Sequence, residues 1–349
     1  GSASGGNSGN PWGGGMGGGG MDGNANKTDI SAKGIKAVGL YSDEAKTTYV
    51  SGGDITINGG TLNIDSSDDS LHCAGTMQIL GGDLKLASAD DGIHSDTDVI
   101  IGSESDATNY PSPSVDISYS YEGVEGVTVT MNSGSVMVYS TDDGFNAAGG
   151  ADSSGNSNPG GWGQGGWGGG SSSSSNDYKL TFNGGYTYVN AAGDGLDSNG
   201  DMFINGGYIF VSQTGGGNGP LDCGDNNNSI NYTGGVLVAG GSSDMFETPS
   251  SYSFLTSSSL AAGSTVTFTD SNGTVLATMT FANSSSKMVM SAPENSVTCY
   301  TGGTLSGTTY FPSSTSDANR SVVCGYGGTI SGGTTVSASS GGGGGGWNW

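Results

Sequence analysis

One short turn recurs at a fixed offset, and that offset limits the fold more than any other feature of the chain. Asp68-Asp69-Ser70-Leu71-His72 is followed 22 residues later by Asp90-Asp91-Gly92-Ile93-His94. The glycine pairs ahead of them, Gly59-Gly60 and Gly81-Gly82, keep the same offset. A third copy is Asp142-Asp143-Gly144-Phe145-Asn146, a fourth Gly193-Asp194-Gly195-Leu196-Asp197, and a worn fifth Gly219-Pro220-Leu221-Asp222. An acidic turn in phase with a glycine pair marks an all-β solenoid, in which each repeat buries its apolar face only against its neighbours. Alternation predicts short strands with Ile55, Ile57, Leu62 and Ile64 pointing inward, three strands to a coil of about 22 residues, stacked in parallel. The glycine pair permits the positive φ of a sharp corner.

This pattern divides the chain. Residues 1–27 are a Gly-rich leader whose composition reads as linker. Residues 28–248 carry the coils, beginning with a degenerate one in which Lys33-Gly34-Ile35-Lys36 stands where later coils have Asp-Gly-Ile-His. Residues 99–126 interrupt the period, and 149–176 form a Gly/Trp-rich insertion. Residues 249–333 read as a small antiparallel β module. In it Val266-Thr267-Phe268-Thr269 and Thr274-Val275-Leu276-Ala277 form a hairpin across an Asn-Gly turn. Such a module would cap the solenoid, whose last coil is otherwise a bare edge. Residues 334–349 are a Ser/Gly/Trp tail.

Charge excludes some partners. The net charge is -24, with only 8 Lys and Arg among 349 residues. Nucleic acid and anionic lipid both demand a basic footprint, so neither is expected as a partner. No apolar run is long enough to span a membrane. A start at Gly-Ser fits either an expression scar or the residues that follow a lipidated cysteine, so a lipid anchor upstream of Gly1 stays open. Cys73 and Cys223 occupy equivalent turns roughly four coils apart, beyond disulfide reach at about 4.8 Å per coil. Cys299 and Cys324 are expected either to pair or to remain two buried thiols.

Several separate motifs resemble one family. They are Ser118-Tyr119-Ser120-Tyr121-Glu122-Gly123-Val124-Glu125-Gly126, Asp142 to Gly149, Gly195-Leu196-Asp197-Ser198-Asn199-Gly200-Asp201, and Ser296 to Gly303. Together they resemble the clostridial carbohydrate-binding domain family over about residues 30–310. The resemblance implies a right-handed parallel β-helix, similar to pectate lyases, that holds calcium ions on its coils and binds cellulose and polygalacturonate. Cys73 and Asp244-Met245-Phe246 depart from the pattern.

The acidic edge carries the expected chemistry. Calcium takes six to eight oxygen ligands, and carboxylates stacked about 4.8 Å apart repel unless a cation lies between them. The candidate Ca2+ ligands are Asp68, Asp69, Asp90, Asp91, Glu122, Glu125, Asp142, Asp143, Asp194, Asp197 and Asp222. The bland alternative is that Asp-Gly turns suit tight corners and use Asp as a local cap. His72 and His94 share register; they either flank the metal row or point inward, and are not expected to be catalytic. With one neighbouring Cys73 they make a poor zinc site, which wants three or four closely grouped nitrogen or sulfur ligands. For sugar binding the candidates are Tyr186, Tyr188, Tyr208, Phe210 and Tyr232, read either as a stacking platform or as an ordinary aromatic ladder.

No catalytic residue is expected. A uronate lyase needs a Lys or Arg base near calcium, and none lies beside the later acidic turns; a residual lyase possibility rests on Lys33 and Lys36. The first functional reading is a secreted, extracellular or cell-surface calcium protein that binds polysaccharide without cleaving it. The second is a structural or adhesive protein that self-associates through its Gly/Trp-rich segments.

Overall fold

The computed structural model describes residues 32–43, 49–104, 112–148, 178–224, 228–311 and 323–339. The leader, the 149–176 insertion and the polyglycine tail, on which the self-association reading rests, lie outside these residues. The described chain is all β, with no helix.

Most strands pair in parallel with their counterparts in the next repeat. One face is a six-stranded parallel sheet of Ile35–Ala37, Leu71–Cys73, Ile93–Ser95, Val124–Glu125, Phe145–Ala147 and Leu196–Ser198. A second face runs through Met77–Ser88, Asp98–Ile101, Thr128–Met131, Lys179–Phe182, Asp201–Ile204 and Ile230–Tyr232. A third joins Ile55–Ser66, the far half of Met77–Ser88, Ser114–Ser120, Ser135–Ser140, Tyr186–Ala191, Tyr208–Gln213 and Val236–Gly241. Met77–Ser88 bends across a corner and belongs to both.

The inward column is apolar throughout. Leu71, Ile93, Val124, Phe145, Leu196 and Leu221 follow one another in register and are all fully buried. At roughly 1.5–3 kcal/mol for each such side chain, this column and its partners on the other two faces drive the stacking. The expected inward residues Ile55, Ile57, Leu62 and Ile64 pack on the same core but stay partly exposed, because only one neighbouring repeat covers them.

Corners and turns explain the glycines. The second residue of each pair has positive φ: Gly60 at 95°, Gly82 at 109°, Gly185 at 83°, Gly207 at 84° and Gly235 at 83°. The Asp-Gly turns need glycine for another reason. A Cβ on Gly144 would fall 2.2 Å from Val189 Cγ1 and 2.5 Å from the Gly195 carbonyl, so rungs stack too closely for any side chain there. Beside one corner an amide ladder links repeats: Asn183 donates to Asn132, Asn205 donates to Asn183 at 2.9 Å each, and the Thr233 hydroxyl donates to Asn205.

The C-terminal module does more than the expected capping. Lys287–Ser291 pairs antiparallel with Val236–Gly241, and Phe254–Thr256 pairs with Lys287–Ser291, so the last parallel edge is covered. The hairpin lies where the sequence predicts it, with Thr265–Thr269 against Val275–Thr280. A second core of Met137, Tyr188, Phe210, Val236, Val238, Phe268, Phe281 and neighbouring residues glues the module to the flank of the third face. Cys299 and Cys324 do not pair. They sit on strands separated by two others in the sheet, roughly 14 Å apart at about 4.8 Å per strand, and both are buried free thiols.

Candidate functional site

Register turns the recurring acidic motif into two facing columns. Two residues before each inward apolar position stand Lys33, Asp69, Asp91, Glu122, Asp143 and Asp194. One residue after it stand Lys36, His72, His94, Glu125, Asn146, Asp197 and Asp222. The columns touch along their length. His72 Nδ1 lies 2.8 Å from Asp69, His94 Nδ1 lies 2.9 Å from Asp91, and Asn146 Nδ2 donates to Glu122 at 3.0 Å. Serines brace the turns: the hydroxyls of Ser66, Ser88 and Ser140 donate to the carbonyls of Asp68, Asp90 and Asp142.

Three aspartates of the first column give one oxygen to the backbone of the next repeat. Asp69 Oδ1 accepts from the Asp91 N–H at 3.1 Å, Asp143 Oδ1 from the Asp194 N–H at 2.6 Å, and Asp194 Oδ1 from the Gly219 N–H. These bonds run to the next repeat rather than within the Asp's own turn, so they tie one rung to another and are not local caps. Asp69 Oδ2 and Asp91 Oδ2 turn instead toward the histidines.

Charge changes sign along the stack. The first rungs carry their own cations. Lys33, whose side chain is 2% exposed, reaches Asp68 at 2.9 Å and also contacts Asp69. Burial alone would raise Asp69, but the His72 hydrogen bond, the His94 charge and Lys33 outweigh it and hold its pKa below the ordinary value. This lysine was missed as a neutraliser because its coil looks degenerate; its position two residues before Ile35 was the available signal. His94 is buried. Burial works against its charge, yet Asp91, Asp96 and Glu125 win and push its pKa well up.

Among the described residues, carboxylates rather than cations dominate the surroundings of the later rungs. Burial, then Glu125, Asp91 and Asp143, push Glu122 well up. Burial, then Asp142, Asp197 and Asp194, do the same to Asp143. Asp194 is raised to about 7 by burial, with Asp222 and Asp142 adding to it against a backbone hydrogen bond from Gly219. Asp197 is raised to about 8 by burial and by Asp194 and Asp222. Asn146, 7% exposed, leaves its Oδ1 without a hydrogen bond in the same column. An all-oxygen donor set, negative neighbours and an orphaned carbonyl oxygen fit a hard divalent cation. At the other end, Asp68, Asp69 and Asp90, then Asp69, His72 and His94, then Asp91, His94 and Glu125 each bring donor atoms within 4.8 Å of one another.

The aromatic candidates are corrected. Tyr186 pairs with Tyr208 and Tyr188 with Phe210, as their spacing implies. They present no open platform, because the C-terminal module docks on them. Tyr186 and Phe311 rings lie 3.9 Å apart, Tyr208 and Tyr326 lie 4.7 Å apart, and Tyr186, Tyr188 and Phe210 are buried. Tyr232 does not extend the row. It pairs with Ile204 on a different face, and its hydroxyl donates to the Gly235 carbonyl. An exposed aromatic close in sequence to the acidic columns is Tyr119, 49% exposed and three residues before Glu122. Tyr121 beside it is half-buried against Asp142.

The columns begin in a stretch that a known family also contains. The sequence profile described as carbohydrate-binding domain-containing protein matches residues 16–92 and again 75–157. Over these residues the chain is similar to the carbohydrate-binding domain-containing family. The two overlapping matches meet at the His72 and His94 rungs and run through Glu122, Glu125, Asp142 and Asp143. No curated protein and no solved structure matches the chain. No helix among the described residues is long and apolar enough to cross a membrane.

Proposed function

We propose that this protein binds polysaccharide without cleaving it, on a right-handed parallel β-helix whose acidic columns hold calcium, outside the cell or at its surface. The observation that carries the calcium is the set Glu122, Asp143, Asp194 and Asp197, half-buried or buried between rungs among like charges. Those groups, with Asp142, Asn146 and Asp222, would supply the oxygens. Bound calcium would cancel their repulsion and leave ligand positions for sugar hydroxyls or uronate carboxylates. The carbohydrate half of the reading rests on the family match.

With the tyrosine rows covered, the sugar surface moves to the acidic columns, where Tyr119 offers a ring face. Acidic glycans of the pectate type suit this surface, because calcium can bridge carboxylate to carboxylate; a neutral glucan such as cellulose would use Tyr119 and hydrogen bonds. The cations favour binding over lysis, with Lys36 alone of the named lysines both exposed and in register with the columns, at their first rung. Lys33 Nζ is tied to two buried carboxylates, and Lys85 and Lys179 are exposed on strands away from the columns.

Retention on insoluble pectate and on cellulose, with Ca2+ and with EDTA, tests the proposal. Calcium-dependent retention on pectate is expected, and Tyr119→Ala should weaken it several-fold, the scale of one aromatic contact. No retention on either polymer would overturn the proposal.

A further inference from the structure

The rung that carries His94 differs in kind from the oxygen-only rungs. His94 Nδ1 faces two carboxylates at once, Asp91 Oδ2 at 2.9 Å and Glu125 Oε2 at 2.7 Å. Neutral imidazole has one N–H and satisfies only one of them there. Its other nitrogen, Nε2, lies 3.3 Å from Asp96 Oδ1, yet neither atom makes a hydrogen bond. The His94 side chain is 2% exposed, so water does not make up the deficit. The neighbouring rung is not equivalent. Asp69 and His72 also approach each other, but Lys33 already supplies a positive charge to Asp69.

We propose that Asp91, His94 and Glu125 form a site for a borderline divalent metal of the zinc and cobalt class, distinct in chemistry from the calcium rungs. The two carboxylate oxygens lie 2.9 and 2.7 Å from His94 Nδ1, inside the roughly 4.4 Å that two metal–ligand bonds of about 2.0–2.2 Å can reach, and all three donor atoms cluster within 4.8 Å. Calcium takes oxygen ligands, whereas imidazole nitrogen selects zinc, cobalt, nickel or copper. An ion on Nδ1 leaves the imidazole proton on Nε2, where it faces Asp96. A carboxylate on the far nitrogen of a metal-bound histidine fixes the tautomer and ring orientation, and Asp96 takes that positioning role. Both otherwise unexplained contacts, the doubly approached Nδ1 and the orphaned Nε2–Asp96 pair, are accounted for together. Sequence spacing hides the pairing with His94 because Glu125 arrives from the next repeat, at the end of the interruption at residues 99–126.

The test uses the full chain, stripped of metal and then kept in excess Ca2+. Co2+ is added and its d–d absorption followed; Zn2+ is then used as competitor. The expected result is one tightly held equivalent of Co2+, displaced by Zn2+ and not by Ca2+. His94→Gln should abolish it, and Asp96→Asn should weaken it about 10–100-fold. Glu125→Gln serves as a second ligand variant should His94→Gln fold poorly. Three results each overturn the site: no Co2+ signal, mole-for-mole displacement by Ca2+, or unchanged Co2+ affinity in the folded variants. The first is what a plain imidazolium held by three carboxylates would give. Calcium-dependent stabilisation, measured on the same samples, reports separately on the oxygen rungs.

Discussion

Removing divalent metal while raising pH should destabilise this fold, and the size of the effect follows from two residues. Asp194 and Asp197 are raised from 3.8 to about 7 and about 8, chiefly by burial and then by neighbouring carboxylates. In the unfolded chain both ionise near pH 4. In the folded, metal-free chain they keep their protons to near neutrality, so the folded state binds more protons between about pH 4 and pH 8. Stability therefore falls as pH rises through that window and levels off above it. A rise to about 7 corresponds to roughly 4 kcal/mol at ~1.4 kcal/mol per tenfold. Asp194 keeps some contact with water, and the two carboxylates repel each other rather than acting independently, so about 2–4 kcal/mol is expected for the pair. For a chain of this size that is on the order of 5 °C in Tm. Calcium held as proposed would bind the ionised forms and cancel the loss, so its stabilising effect should grow from pH 5 to pH 8. Melting followed by circular dichroism at matched ionic strength, in EDTA or Ca2+ across that range, measures both. A Tm in EDTA that is flat or rises from pH 5 to pH 8, or a calcium effect independent of pH, would refute the argument.

Three further outcomes are expected. Lys33→Met strands Asp68 and Asp69, which are 1% and 0% exposed, and should cost about 3–5 kcal/mol in urea unfolding; a loss under about 1 kcal/mol would show that these carboxylates are satisfied otherwise. Gly144→Ala drives a methyl group into Val189 and the Gly195 carbonyl, and should cost about 1–3 kcal/mol, whereas Gly216→Ala, with open space around it, should be near neutral. Alkylation after unfolding without reductant should label all four cysteines, and a two-thiol deficit would contradict the sheet order that separates Cys299 from Cys324.

The repeat was legible because each of its parts has a local cause. The 22-residue offset between Leu71 and Ile93, the positive-φ corner glycines and the Asp-Gly turns all follow from one rung lying on another. The acidic column was legible for the same reason: Asp69, Asp91, Asp143 and Asp194 keep a constant distance from the inward residue. Partners that arrive from outside the repeat were not. Lys33 sits in a coil with a different motif and Asp96 lies beyond the strand, while Glu125, expected as an oxygen ligand, was not expected to reach His94. The aromatic rows failed on a different ground. Pairing of Tyr186 with Tyr208 is a property of the repeat, but their exposure depends on Phe311 and Tyr326, more than a hundred residues away.

That burial has a consequence for how the molecule can divide its surfaces. An aromatic row on the third face is apolar enough to need a cover, and the C-terminal module supplies it with Phe311, Tyr326 and a shared core. Among the described residues the six-stranded face receives no such cover, and its turns carry charge in place of rings. Its charge is graded: lysine at the first rung, histidine at the next two, carboxylate and amide beyond. Fixed cations need no ligand, an imidazole among carboxylates suits a borderline metal, and carboxylates alone suit calcium. A single stacked column can thus hold different cations at defined heights, because each rung adds one residue to it and parallel register keeps those residues about 4.8 Å apart. On this reasoning the spacing of ions, rather than a pocket, would set which acidic polymer fits, since consecutive charges on the glycan must fall opposite consecutive ions.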